Sequence, residues 1–280
     1  MLYKCLSSPY AIWGSFILIT MSLITSFLVT PNKGIEFGGG YAITLNSKVS
    51  FEPSVISQKS LASIEVQESV TTIKFKADIP QSEITLIKQK YGADLLSVES
   101  ISSSYGAELI EGILMATGIA FLVVSAYTAL RHNSIMAVAV LLALFHDIII
   151  SIGAALLFGV EINSLLIAGL VMIIGYSIND SIVTITQISD NIRESIDNPI
   201  ERAITAVLPR SITTSISTLI VIVVLMVFLG LSSGTGGFIV VLATGVVTGT
   251  FSSLIVVPFI IGLTDKATEI APKKSLEGNV

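Results

Sequence analysis

The chain has 280 residues, 52% of them hydrophobic and 12% charged, with a formal net charge of −5. A soluble domain carries about 25% charged residues, so one soluble core is excluded, and no basic cluster offers a nucleic-acid surface. The single cysteine, Cys5, rules out an intrachain disulfide and a cysteine metal cluster and reads as an inert thiol beside Lys4.

In chain order, the first apolar run covers Tyr10–Thr30. A cleaved signal peptide would have a shorter apolar region, roughly 7–15 residues, followed by a small-x-small site. This run ends Leu28-Val29-Thr30-Pro31, so it reads as a retained membrane helix behind a short leader. Residues 31–108 are the only long polar segment, and five further runs follow: Leu109–Leu130, Ile135–Phe158, Leu165–Ser189, Ser211–Gly230 and Phe238–Leu263. Each is long enough to cross a hydrocarbon core of roughly 30 Å, and each is apolar all round, as a helix solvated by lipid must be. The expected fold is a polytopic α-helical membrane protein with six transmembrane helices and one small α/β domain between the first and second. Its segments are 1–30, 31–108, 109–263 and a tail, 264–280.

The polar segment alternates strand and helix signals. Tyr41–Leu45 predicts a strand, Pro53–Leu61 a short helix, Ile64–Val66 and Thr71–Ala77 two strands with Ile73, Phe75 and Ala77 on one face, and Asp94–Val98 a last strand. Between them Pro80, at the first helical position, opens a helix that runs through Tyr91 and stops at Gly92. The order β-α-β-β-α-β suggests a ferredoxin-like split βαβ unit. The segment Asp190–Arg210 places Ile192, Ile196, Ile200, Ile204 and Leu208 four residues apart among charges. It predicts an amphipathic helix along the membrane surface, broken near Asn198, where Asn198-Pro199-x-Glu201 offers a cap, a proline start and a capping-box acid.

Lys and Arg in short loops set orientation. Lys4, Arg131, Arg193, Arg202, Arg210, Lys266, Lys273 and Lys274 all fall on one side of a six-span arrangement, while Gly159–Ser164 and Leu231–Gly237 carry none. Both termini are therefore expected in the cytoplasm and residues 31–108 outside.

Polar groups inside apolar helices are the sharpest functional signal. His146 and Asp147 lie mid-run, and Asn179 and Asp180 lie in the fourth run. An acid at the centre of a spanning helix costs roughly 2.5–3.5 kcal/mol on insertion scales and marks an ion path, or else a hydrogen-bonded contact between helices. Tyr176 and Asp180 share a helix face with Val183, Thr184 and Gln187. Burial favours a neutral acid and a nearby cation favours the carboxylate, so an acid paired with Arg210, at the mouth of the fifth run, would take up a proton in one state and release it in another. Gly112, Ala116 and Ala120, and again Gly245, Gly249 and Ser253, form small-x-x-x-small stripes that let helix backbones approach closely, within the chain or against a partner. Gly34–Gly40 lacks the Lys-Ser/Thr of a phosphate loop and reads as shaping the entry into the polar domain. No nucleophile triad, metal cluster or nucleotide fingerprint stands out, and the two acids lack the Gly-x-Gly-Asp setting of an intramembrane protease, so no enzyme and no cofactor are expected.

Several segments together resemble the SecF family of bacterial protein-export subunits. They are Gly34-Ile-Glu-Phe-Gly-Gly-Gly40, His146-Asp147, Ile174-Gly-Tyr-Ser-Ile-Asn-Asp-Ser-Ile-Val183, Arg210-Ser-Ile-Thr-Thr-Ser215 and Gly245-x-x-x-Gly-Thr-x-Ser-Ser253. The Asn-Asp segment is the most specific, and the matches run in order along almost the whole chain. Departures are Glu36 in place of an Asp, and Thr186-Gln-Ile-Ser-Asp-Asn191 where the family often has three more charges. The resemblance implies a subunit in the inner membrane that pairs with SecD and works with the SecYEG channel, with YajC as a further candidate partner. It also implies use of the proton or sodium gradient to draw unfolded exported polypeptides outward, with Asp180 and Arg210 at the ion-driven step. Other readings of the same residues are an ion-coupled small-solute carrier that dimerises and a purely structural assembly factor.

Overall fold

The computed structural model describes residues 9–46, 61–67, 70–76, 79–92, 94–230 and 234–264. Its elements are α1 (Pro9–Leu28), a short α2 (Ile35–Gly38), β1 (Gly40–Asn46), β2 (Leu61–Gln67), β3 (Val70–Lys76), α3 (Gln81–Tyr91) and β4 (Leu95–Ile101). The long helices follow: α4 (Ser103–Arg131), α5 (Ser134–Leu157), α6 (Ser164–Arg193), α7 (Pro199–Leu229) and α8 (Gly236–Phe251). A π turn, Ser252–Val256, joins α8 to α9 (Val257–Leu263). Five helical stretches among the described residues are long and apolar enough to cross a membrane, and the apolar helix Ile12–Leu28 is shorter.

Polar caps start the long helices where the first N–H groups have no partner within the helix. The side chain of Ser102 accepts from Ser104 N, that of Asn133 from Met136 N at 2.8 Å, and that of Asn163 from Leu166 N at 3.0 Å. Within the bundle, α5, α6 and α8 form the centre. Met136, Val140, Ala143 and Leu144 of α5 pack on Ile174, Ile185 and Ile188 of α6 and on Val257 and Ile261 of α9. None of α4's most apolar stretch is buried within the chain, against 56% of α5's, so α4 keeps its apolar surface outward. A Cβ on Gly112 would touch nothing, and a groove of about 400 Å³ runs past Gly112, Ala116 and Ala120 toward Val171 and Ile174.

The strands form one antiparallel sheet in the order β2-β3-β1-β4. The alternation in β3 places Thr71, Ile73 and Phe75 inward, and Ile43 pairs across from Ile73. Ile84, Ile87 and Tyr91, one face of α3, cover them. Pro80 is the N-cap of α3 rather than its first helical residue, with extended backbone that leaves the proline's missing N–H outside the helix. The predicted helix Pro53–Leu61 and residue Ala77 lie outside the described residues, apart from Leu61, which opens β2.

Two expectations for 190–210 are corrected. There is no separate amphipathic helix: Asp190–Arg193 completes α6, and Pro199–Arg210 opens α7, which continues through Pro209. The break falls near Asn198 as expected, because Ser195 and Asn198 take left-handed backbone (φ 54° and 55°). Asn198, however, makes no side-chain cap. Asn191 Nδ2 reaches across instead and donates to Pro199 O at 2.8 Å.

The Gly34–Gly40 stretch seats the sheet domain on the bundle. Gly34 N donates to Ile162 O at 2.9 Å, and Ile162 N to Asn32 O at 2.8 Å. A Cβ on Gly34 would stand 2.7 Å from Glu161 Oε1 and 3.1 Å from Ile162 O, so a side chain there would make the neighbours shift. Glu36 Oε2 accepts from Ser164 N at 2.6 Å and also from Ser164 Oγ, which places a carboxylate on the first turn of α6. Lys74 of β3 meets Glu161 at 3.6 Å from the same side.

Candidate functional site

The two acids of the apolar helices lie in one buried polar cluster. Asp147 of α5 is 0% exposed. Its Oδ2 accepts from Ser177 Oγ of α6 at 2.6 Å and from Ser252 Oγ of the π turn at 2.7 Å, and its Oδ1 lies 2.9 Å from His146 Nδ1. The His146 ring is buried and stacks on Phe251 at 6.4 Å between centroids, and its Nε2 has no hydrogen-bond partner among the described residues. Asp180, three residues after Ser177 on α6, is also buried, and Ser253 Oγ donates to its Oδ2 at 3.1 Å. Beside it Tyr176 OH lies 2.9 Å from Ser215 Oγ, which also meets Thr250 Oγ1. Two further hydroxyls on α5 and α6, Ser151 and Ser181, are buried with no hydrogen-bond partner among the described residues.

Glycines make this cluster possible. A Cβ on Gly249 would stand 3.3 Å from Ser177 Cβ and 3.7 Å from Asp147 Oδ2. One turn earlier, a Cβ on Gly245 would come within 2.1 Å of Ile173 Cδ1. With no side chain at either place, α8 lies close enough to α5 and α6 for short serine side chains to reach both carboxylates. The stripe Gly245-Gly249-Ser253 thus packs the helices and also ends in a ligand of Asp180.

The structure redistributes the other residues singled out from sequence. Asn179 is exposed, because it lies on the face of α6 turned away from α8. Tyr176 and Asp180 bond to different neighbours, α7 and the π turn. The buried polar stripe of α6 is Ser177, Asp180, Ser181 and Thr184; it keeps Asp180 and Thr184 of the expected face, while Tyr176, Val183 and Gln187 are half-buried. Arg210 is exposed and makes no ion pair with Asp180 in this structure. It lies on the opening turns of α7, and the Asp180 carboxylate is answered by a hydroxyl instead. Ser177 and Ser252 were not anticipated. Their sequence signal is a hydroxyl one turn before an acid for Ser177, and for Ser252 a position next to a small-stripe serine.

The family described as "Protein export membrane protein SecD/SecF, C-terminal" matches residues 82–266. Protein translocase subunit SecF of Petrotoga mobilis is 33% identical over 153 residues, 53% of this chain and 50% of its own length. SecF of Endomicrobium trichonymphae is 30% identical over 249 residues, 80% of this chain and 78% of its own. The chain thus matches about half the length of some relatives and most of others. Among solved structures, SecDF of Thermus thermophilus, a translocon-associated membrane protein, superposes with a TM-score of 0.75 at 26% identity, over 91% of this chain and 37% of that one.

Proposed function

The chain belongs to the SecF family of protein translocase subunits, and from that premise we propose that it pairs with a SecD chain to convert an ion gradient into outward movement of unfolded polypeptides. SecF relatives and the apolar helices make it a multipass protein of the bacterial inner membrane. In this reading α1, 20 residues long, is the first of six spans, both termini are cytoplasmic and the sheet domain is outside. The strand order β2-β3-β1-β4 supports a ferredoxin-like unit for that domain. The subunit is a transport component without catalytic chemistry or cofactor, acting beside the SecYEG channel, with YajC as an accessory.

The observation that carries the reading is a carboxylate, Asp180, held in the middle of an apolar helix by one side-chain bond among the described residues, 3.1 Å from Ser253. In this reading that carboxylate is the group that exchanges a cation. Each charge crossing the membrane is worth about 2.3 kcal/mol per 100 mV. Arg210, unpaired with Asp180 here, is the cation that would neutralise it in another state of the cycle. Glu36 and Lys74 supply the route outward, since both tie the sheet domain to the start of α6, the helix that carries Asp180.

The test is export in cells or inverted vesicles by the Asp180→Asn variant. Gradient-dependent export is expected to be lost while insertion and co-purification of a SecD-like chain persist. Normal export by this variant would remove the motor role.

A further inference from the structure

We propose that Asp147 with His146 is a second proton-binding site and that the adjacent serines of the π turn, Ser252 and Ser253, couple it to Asp180. The proposal rests on reading Asp180 as the acid that exchanges ions with the gradient.

The first observation is the pairing itself. Consecutive residues bond to different acids on different helices: Ser252 to Asp147 at 2.7 Å and Ser253 to Asp180 at 3.1 Å. A π turn is rare, appears mostly as single insertions in α-helices and is frequent at functional sites. This one begins at Ser252, where the two hydroxyls must fan toward α5 and α6 together.

The second observation is that each hydroxyl has an alternative acceptor. Ser252 Oγ lies 3.1 Å from Gly249 O, and Ser253 Oγ lies 3.0 Å from Thr250 O. A hydroxyl has one hydrogen, so it serves either the carboxylate or the carbonyl of its own helix. When an acid takes up a proton its oxygen becomes the donor. The serine then accepts that hydrogen and turns its own toward the helix carbonyl. Hydroxyl bonds to carbonyls in the preceding turn bend helices, so the π turn responds to the charge state of both acids.

The third observation is the histidine. Deprotonated, the Asp147–His146 pair is a buried net negative charge. One added proton makes the pair neutral overall: carried by Asp147 it turns the carboxylate into the donor to Ser252, with His146 neutral beside it. No other ionisable side chain among the described residues is buried in the helices packed against α5. Glu108, Glu111, Tyr127 and Arg131 of α4 and Arg210 of α7 are exposed, and half-buried Tyr176 of α6 bonds to Ser215. Asp180 is the one buried acid Asp147 has to answer.

The experiment is infrared pH titration of the carboxyl bands of the full chain in lipid nanodiscs, with the bands assigned by Asp147→Asn and Asp180→Asn. Coupled sites titrate as a unit, so removing the Asp180 charge is expected to move the Asp147 midpoint by about one pH unit, and Asp147→Asn to move that of Asp180. In the S252A/S253A background the shift is expected to fall to half or less, and in S252T/S253T, which keeps both hydroxyls, to persist. If the double alanine variant does not fold, S253A, which loses only the bond to Asp180, is read alone. The proposal is overturned if the Asp147 band ignores Asp180→Asn, or if the alanine variant shows the full shift. Export loss in Asp180→Asn with uncoupled bands would sink this proposal and leave the motor reading standing, while coupled bands with normal export would do the reverse.

Discussion

Replacing Gly245 with alanine tests the packing on which the acid cluster depends. The added Cβ would lie 2.1 Å from Cδ1, 2.2 Å from Cγ1 and 2.7 Å from Cγ2 of Ile173, against an ordinary carbon contact of about 3.5–4.0 Å. Ile173 is 1% exposed and packs among Leu166, Ile222, Ile239 and Val246, so it can move aside only by pushing on buried neighbours. Overpacking of this kind costs about 1–3 kcal/mol, which lowers a melting temperature by roughly 4–8 °C for a cost near 2 kcal/mol in a chain of this size. The assay is thermal unfolding of the purified chain by circular dichroism, run as a double-mutant cycle with Ile173→Ala. Ile173→Ala alone opens a cavity, at about 2–5 kcal/mol. In the double variant the methyl added by Gly245→Ala fills part of that space, so it should be more stable than the sum predicts by about 0.5–3 kcal/mol. An unchanged melting temperature for Gly245→Ala, or strict additivity, would refute the reasoning. Because Gly245 lies one turn before Gly249, the same variant should also weaken the Ser253–Asp180 bond.

Glu36→Gln keeps one acceptor at the start of α6 but removes the charge that faces the helix N-terminus, so stability should fall by about 1–2 kcal/mol. The loss should shrink in a Ser164→Ala background, where one of the two bonds is already missing, and additivity there would count against the contact. His132, at the end of α4, is held below its ordinary value of 6.5 by burial first, then by Arg131 and Arg193, partly offset by Asp190. The unfolded chain therefore binds this proton first. The contribution of neutral His132 is present above pH 6.5 and is lost as pH falls from 6.5 toward the folded value. Histidine NMR should show Arg193→Gln raising the His132 midpoint, and His132→Gln should remove part of the acid-side loss of melting temperature. A midpoint that ignores Arg193 would refute that assignment.

The placement of charge along the chain alone determined the long helices, because a helix in lipid has to be apolar around its whole circumference and twenty such residues leave few alternatives. The strands of the sheet domain were legible for a similar local reason: alternation such as Thr71, Ile73 and Phe75 states which face is inward. The acids Asp147 and Asp180 announced themselves by their cost in apolar surroundings, and Gly245 and Gly249 by their spacing. What sequence did not carry was partnership. Serine is common in apolar helices, and nothing local distinguishes Ser177, Ser252 and Ser253 from other hydroxyls until α8 is laid against α5 and α6. Likewise Asn179 looks as polar as Asp180 but lies about 100° away round the helix, on the exposed face. The segment 190–210 is divided between α6 and α7 instead of forming its own helix, and in this structure Asp180 is met by Ser253 and not by Arg210, both for one reason. Spacing fixes the face of a residue on its own helix, whereas the distance to another helix and the direction in which a chain leaves a break are set by packing over the whole bundle.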